Sequence, residues 1–264
     1  MLSFIKKLRL YHGFILTSVS REFTLRYRNS ILGVVWVLLN PLAMILIYTL
    51  IFSQIMHARM PGIDIPYGYS IYLMAGLLPW GLFSEMTTRG QNLFLLNANL
   101  LKKVNFPKVC LPVIACLSSL INFSIIYCLF IIFLIVSGQF PGLVFLAVIP
   151  VLLVQILIAM GLGLILGILN VFFRDVGQFF GIFLQFWFWL TPIIYTPIML
   201  PVSLRHFIYL NPITPLVIAY QDIIVLKSMP NWSSLLPALI AGIVLNLIAL
   251  GLFRRHSGEM VDEL

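Results

Sequence analysis

The sequence predicts an all-α integral membrane protein with six transmembrane helices, preceded by an amphipathic helix in the membrane interface. Three observations lead there. The 264 residues are 61% hydrophobic and only 9% charged, with a mean hydropathy of +1.08, whereas a soluble domain carries roughly a quarter charged residues. Too few charges remain to cover a water-facing surface, so the solvent is mostly lipid. A bilayer core of about 30 Å needs roughly 20 apolar residues per helix, and such runs lie near 31–55, 69–88, 109–137, 143–170, 178–196 and 233–253. With the N-terminus inside, all of the 16 Lys and Arg except Arg59, Arg205 and Lys227 fall on the cytoplasmic side. This positive-inside bias places both termini in the cytoplasm. The net charge of +8 therefore reports orientation and anionic headgroups, and nucleic acid is not an expected partner.

Residues 1–28 form the first unit. Phe4, Leu8, Tyr11, Ile15, Val19 and Phe23 recur at helical spacing, with Lys6, Lys7, His12, Ser20 and Arg21 largely between them. That pattern suits a basic amphipathic helix lying in the cytoplasmic interface. The stretch lacks the clean apolar core and small-residue cleavage site of a signal peptide. The spans occupy 29–264. The first opens with "LRYRNSILGVVWVLLNPL" (25–42), where Arg26 and Arg28 make a cationic collar. Ser30 is placed to cap the helix, Gly33 permits close helix approach, and Pro41 removes a backbone donor about two turns further in; Asn40 offers a polar contact beside it. In the cytoplasmic segment 89–108, Leu93, Leu96, Leu100 and Leu101 are expected to share one short apolar face, closed by Lys102 and Lys103 and broken by Pro107. Segment 191–232 is punctuated by Pro192, Pro197, Pro201, Pro212, Pro215 and Pro230. The apolar pieces between them are too short to cross, which suits re-entrant or interfacial helices on the outer side. No internal repeat is evident, against the inverted-repeat transporters.

The chemistry the sequence lacks is informative. Without G-x-x-x-x-G-K-[ST] the chain has no phosphate loop of its own, and neither H-E-x-x-H nor G-x-S-x-G occurs. Glu85 is the one clear acid inside a span; an intramembrane acid is by default functional, but pairing with Arg89 at i, i+4 near the span's end is the favoured role here. Gly163 and Gly167 make a G-x-x-x-G suited to close packing, and Asn40, Asn122, Gln155, Gln185 and Asn246 are candidates for bonds across helices. Cys110, Cys116 and Cys128 read as small apolar fillers. The aromatic run "FFGIFLQFWFW" (179–189) fits either a lipid-facing belt or a channel wall that stacks on sugars, and composition leaves both open.

Arg26-Tyr27-Arg28-x-Ser30-x-Leu32-Gly33-x-x-Trp36-x-x-x-x-Pro41 is followed by "NANLLKKVNFPKVCLP" (97–112), "NVFFRDVGQ" (170–178), "FWLTPIIY" (188–195) and "LNPITPL" (210–216). In this order the motifs resemble type-two ATP-binding-cassette permeases that export polysaccharides. Those for lipid-linked O-antigen are the nearest in motif, with capsule and teichoic acid exporters as close relatives, and the likeness runs over nearly the whole chain. It implies a homodimer in the bacterial cytoplasmic (inner) membrane, paired with two nucleotide-binding ATPase subunits. ATP and Mg would then sit on the partner, with no cofactor on this chain. The likeness makes the amphipathic start a gate helix and 191–232 a set of periplasmic re-entrant helices. It places a coupling helix in 89–108, with Asn97, Asn99, Leu100, Lys102, Lys103, Phe106 and Pro107 meeting the ATPase.

The resemblance also implies a path at the dimer interface lined partly by aromatics of the first and fifth spans, which makes Trp36, Tyr48, Phe186 and Trp189 candidates. The cargo would be a long glycan on undecaprenyl diphosphate. Arg26 and Arg28 lie at the depth of its diphosphate, and guanidinium forks suit phosphate oxygens; ordinary headgroup anchoring stands equally open. Ser30, Gly33, Trp36, Asn40 and Pro41 would form the hinge between gate helix and channel wall. Arg174 and Asp175 either touch the ATPase or cap the following helix, where Asp175 is favoured by the positive helix start. An intramembrane enzyme of lipid-linked sugar metabolism is the competing class, and the absence of a catalytic constellation weighs against it.

Overall fold

The computed structural model describes residues 11–27, 35–51, 67–103, 110–256 and 258–263, and among these every regular element is helical. In chain order they are α1 (His12–Tyr27), α2 (Val35–Thr49), α3 (Gly68–Leu96), α4 (Ala98–Lys103), α5 (Cys110–Val136), α6 (Val148–Phe172, led in by a 3-10 turn at Gly142–Ala147), α7 (Asp175–Leu190), α8 (Val202–Tyr209), α9 (Thr214–Ile224), α10 (Trp232–His256) and α11 (Glu259–Glu263). Among the described residues, Cys110–Val136, Gly142–Phe172 and Trp232–His256 are each long and apolar enough to cross a membrane. Ser203–Tyr209 and Thr214–Ile224 pass the same test as a pair bent by 95°, the geometry of a broken span or a re-entrant loop.

The organising helix is α3. Its 29 residues rise about 43 Å at 1.5 Å each, and it packs against α6, α5 and α9. The sequence pattern ended this helix near 88, but it continues to Leu96. The reason is packing: Gly90, Gln91, Leu93 and Phe94 are all buried, so tertiary contact carries the helix past its polar stretch. Asn97 ends it, donating its side-chain amide to the Leu93 carbonyl at 2.8 Å and so satisfying one of the last turn's orphan acceptors. Of the four leucines expected on one face, Leu93 and Leu101 are buried in one cluster with Leu100 packed against it, while Leu96 is 80% exposed and leaves that face.

One other boundary moved. The fifth run, drawn to 196, stops at Leu190 because Thr191 precedes Pro192 and takes an extended conformation (φ −100°, ψ 132°), as residues before proline do. The run at 31–55 appears as α2, which continues through Pro41. The lost backbone bond is tolerated there and Pro41 itself is buried.

The core is one apolar mass in which Phe83, Met74 and Ile71 of α3 meet Val151 and Ile158 of α6 and Tyr220 and Ile223 of α9. Its tightest seam joins α3 to α6. A Cβ on Gly90 would lie 2.7 Å from the Gly163 Cα, and one on Gly167 would collide with the Gly90 carbonyl oxygen. The G-x-x-x-G of α6 thus does pack, and the partner invisible to the motif is Gly90. Amide side chains pin the neighbouring seams: Gln155 donates to the Pro79 carbonyl at 2.7 Å and Asn246 of α10 to the Leu157 carbonyl at 2.7 Å.

Gly90→Ala is expected to lower stability by about 1–3 kcal/mol, the usual range for overpacking. Gly81→Ala, which meets open space, should be close to neutral. Thermal unfolding of the detergent-extracted protein distinguishes them, and equal midpoints for both variants would refute the glycine seam.

Candidate functional site

The sequence candidates fall into three places. Arg26 lies in the last turn of α1, and Asn40 and Lys103 lie in α2 and α4, with only their backbone positions described. Arg28, Ser30, Gly33, Phe106 and Pro107 are outside the described residues. Trp36 is half exposed on α2. Pro41 and Tyr48 of the same helix line a cavity of about 290 Å³ with Met74, Trp80, Glu85 and Phe123. Asn97, Asn99 and Leu100 line a groove of about 700 Å³ together with Arg21, Glu22 and Arg89, and Lys102 is exposed on α4.

The candidates on α7 sit on an outward face. Phe179, Phe183, Phe186 and Trp189 are all exposed and recur at helical spacing, one side of the helix. The opposite side is packed: Trp187 meets Phe83 at 5.2 Å and Trp80 at 6.2 Å between ring centroids, and Phe180 is buried. Trp80 also lines the cavity beside α2, so this one α3 residue touches both aromatic candidate regions. Arg174 and Asp175 are exposed at the start of α7. At the start of α7, Asn170 Oδ1 accepts the Gly177 N–H at 3.1 Å, and Asp175 stands in the helix's first turn, where the positive helix start favours an acid.

Two of the sequence motifs meet in space. Asn211 of "LNPITPL" accepts from Trp187 Nε1 at 2.9 Å and donates to Thr191 Oγ1 at 3.0 Å. Its Oδ1 also accepts the Ile213 N–H at 3.0 Å. From α3, Tyr69 donates to the Ile194 carbonyl at 2.8 Å and Tyr72 to the Tyr195 carbonyl at 3.0 Å, while Gln221 of α9 donates to the Pro192 carbonyl at 3.1 Å. The turn 191–195 has few backbone bonds of its own, and these side chains supply them, as irregular backbone away from water requires.

Sequence reasoning named Glu85, Arg89 and Asn122 of a charged cluster and missed Glu22 and Ser118. Glu85 Oε1 accepts from Arg89 Nε at 2.9 Å, the expected i, i+4 pair. Arg89 Nη1 also pairs with Glu22 of α1. Asn122 of α5 donates to Glu85 Oε2 at 2.8 Å, and Ser118 of α5 donates to Glu22 Oε2 at 2.7 Å. One guanidinium therefore joins two carboxylates, and the five side chains tie α1, α3 and α5 together. The overlooked signal was Glu22, the lone acid of a basic amphipathic helix.

Arg89→Gln is expected to destabilise the protein by about 1–2 kcal/mol, below the fully buried figure because both partners are partly solvated. With Glu22→Gln in a double-mutant cycle, a coupling of about 0.5–1.5 kcal/mol should appear. Strict additivity of the two substitutions in denaturant unfolding would dissolve the cluster as an energetic unit.

Comparison with known proteins accords with this arrangement. The family described as ABC-2 type transporter matches residues 14–225, from within α1 to just past α9. A protein named O-antigen export system permease protein RfbA from Myxococcus xanthus is 29% identical over 266 residues, covering 100% of both chains. Its namesake from Klebsiella pneumoniae is 28% identical over 237 residues, 89% of each. The polysialic acid transport protein KpsM of Escherichia coli is 24% identical over 231 residues, 87% of this chain and 84% of that one. The chain belongs to the ABC-2 type transporter family.

Proposed function

We propose that this chain is the permease subunit of an ATP-driven exporter that carries O-antigen polysaccharide, linked to undecaprenyl diphosphate, across the bacterial inner membrane. The observation that carries the reading is the outward aromatic face of α7, Phe179, Phe183, Phe186 and Trp189, in a chain of this transporter family. Aromatic rings offer sugars flat apolar contact without charge, which suits a long polymer that must slide as well as bind. The names of the relatives aligned over most or all of the chain support the same cargo class. Two copies would face each other across α2 and α7, with Trp36, Tyr48, Phe186 and Trp189 along the path.

In this reading the chain crosses six times with both termini in the cytoplasm. α1 is the gate helix, and Arg26 and Arg28 meet the diphosphate. Ser30, Gly33, Asn40 and Pro41 let the gate hinge on the wall. A separate ATPase dimer holds ATP and Mg and pushes on the region of α4, through Asn97, Asn99, Leu100, Lys102, Lys103, Phe106 and Pro107. The bent α8–α9 pair closes the periplasmic side as re-entrant helices. The Glu22–Arg89–Glu85 cluster then has a mechanical meaning, since it ties the gate helix to the same α3 that ends at α4. Capsular polysaccharide is the second reading, and the KpsM likeness favours it; the RfbA relatives are more similar and favour O-antigen. Teichoic acid is a further cargo within the same class.

Deletion of the chain should trap lipid-linked polymer on the cytoplasmic side, detected by fractionation and glycan-specific labelling. Loss of polymer synthesis would overturn the transport reading in favour of an enzyme. Replacing both Arg26 and Arg28 by Ala should cut export roughly tenfold, the scale of losing charge-assisted bonds to phosphate, while insertion and ATPase association persist. Undiminished export by that double variant would remove both arginines from cargo binding.

A further inference from the structure

Beside the glycine seam, α3, α6 and α7 enclose an open recess of about 330 Å³. Its polar lining is Thr88, Gln91 and Asn92 from α3, Asn170 from the end of α6, and Arg174 and Gln178 from the start of α7. Among the described residues no carboxylate lines it, and Asp175, adjacent to Arg174 in sequence, is not part of the wall. Asn170 and Asn92 are engaged in the fold. Asn170 donates to the Gln91 carbonyl at 3.2 Å and accepts from Gly177, and Asn92 donates to the Thr88 carbonyl at 3.0 Å.

Gln91 differs from both. The residue is 4% exposed, yet its side-chain amide has no hydrogen-bond partner among the described residues, while it reaches the recess wall. A Cβ at position 177 would come within 2.9 Å of Gln91 Nε2, so glycine there keeps the amide clear. Gly181, one turn on, faces open space and extends the clearance. The amide is not sealed off, since Gln91 is absent from the buried unpartnered groups and lines the open recess, so a ligand there can take up its free donors and acceptor.

The chemistry of the wall selects the ligand. A free carboxamide both donates and accepts, which matches neighbouring sugar hydroxyls. Arg174, exposed at the start of α7, offers forked donors to phosphate oxygens. We propose that this recess binds a phosphorylated sugar, and that the diphosphate-linked first sugar of the cargo rests there before moving onto the aromatic face that begins at Phe179. The proposal rests on the export reading given above. Gln91 and Gln178 hold hydroxyls, and Arg174 holds the phosphate.

The test is photo-crosslinking of the full chain in bilayer discs of phosphatidylethanolamine and phosphatidylglycerol. A photoreactive residue replaces Leu95 on the recess wall, and the probe is radiolabelled undecaprenyl-diphosphate-linked N-acetylglucosamine. A labelled adduct is expected. Gln91→Leu and Arg174→Gln should each reduce it roughly tenfold, the equivalent of one good polar contact, while Arg174→Lys keeps most of it. Full labelling in Gln91→Leu, or labelling that excess phosphatidylglycerol abolishes, would overturn the site. Gln91→Leu is close in volume, and its unchanged recovery from detergent separates lost binding from lost folding. If cells lacking the chain trap lipid-linked glycan but Leu95 gives no adduct, the site falls and the export reading stands. Normal export in those cells overturns both.

Discussion

The structure hangs on the approach of Gly90 to Gly163 and Gly167. Without side chains at these positions α3 and α6 meet backbone to backbone. In lipid no hydrophobic drive pulls helices together, so close packing and interhelical hydrogen bonds must do so. The seam also keeps α3 helical to Leu96, beyond where its composition alone would carry it. The charged cluster, the recess and the 191–195 turn take their positions from that extended helix.

Consecutive residues of α3 serve different neighbours because each step along a helix turns the side chain by about 100°. Glu85 and Arg89 face α1 and α5 through the charged cluster. Gly90 faces α6. Gln91 and Asn92 reach the recess that α7 shares. Toward the helix's N-terminal end, Trp80 contacts the aromatic packing of α7, and Tyr69 and Tyr72 hold the 191–195 turn. A rigid displacement of α3 would therefore be felt at α1, at the recess and at the turn together. In the proposed exporter this is how a push near α4 reaches both ends of the molecule.

Much of this was legible in the sequence. The apolar runs, the Glu85–Arg89 pair, the packing role of Gly163 and Gly167, and the cross-helix bonds of Asn122, Gln155 and Asn246 all follow from local rules. Family membership was legible too, because several ordered motifs are more specific than any one. What stayed hidden depends on which distant segment arrives. Gly90 carries no motif of its own. Glu22 gains meaning only when α1 lies on α3 and α5. Asn211 and Thr191 are 20 residues apart, and no periodicity announces that they bond. Helix ends were misplaced where packing overrode composition, at Leu96, or where a pre-proline residue stopped the helix, at Thr191. Gln185, offered as a cross-helix amide, is instead exposed on α7.

The decisive measurement is translocation in sealed vesicles that hold this chain with its cognate ATPase. Labelled undecaprenyl-diphosphate-linked polysaccharide starts on the ATPase side, and its transfer to the opposite side is followed with a membrane-impermeant lectin. Transfer that requires ATP, the chain and the ATPase together is the expected result. ATP hydrolysis without transfer, or transfer that proceeds equally without the chain, would contradict it.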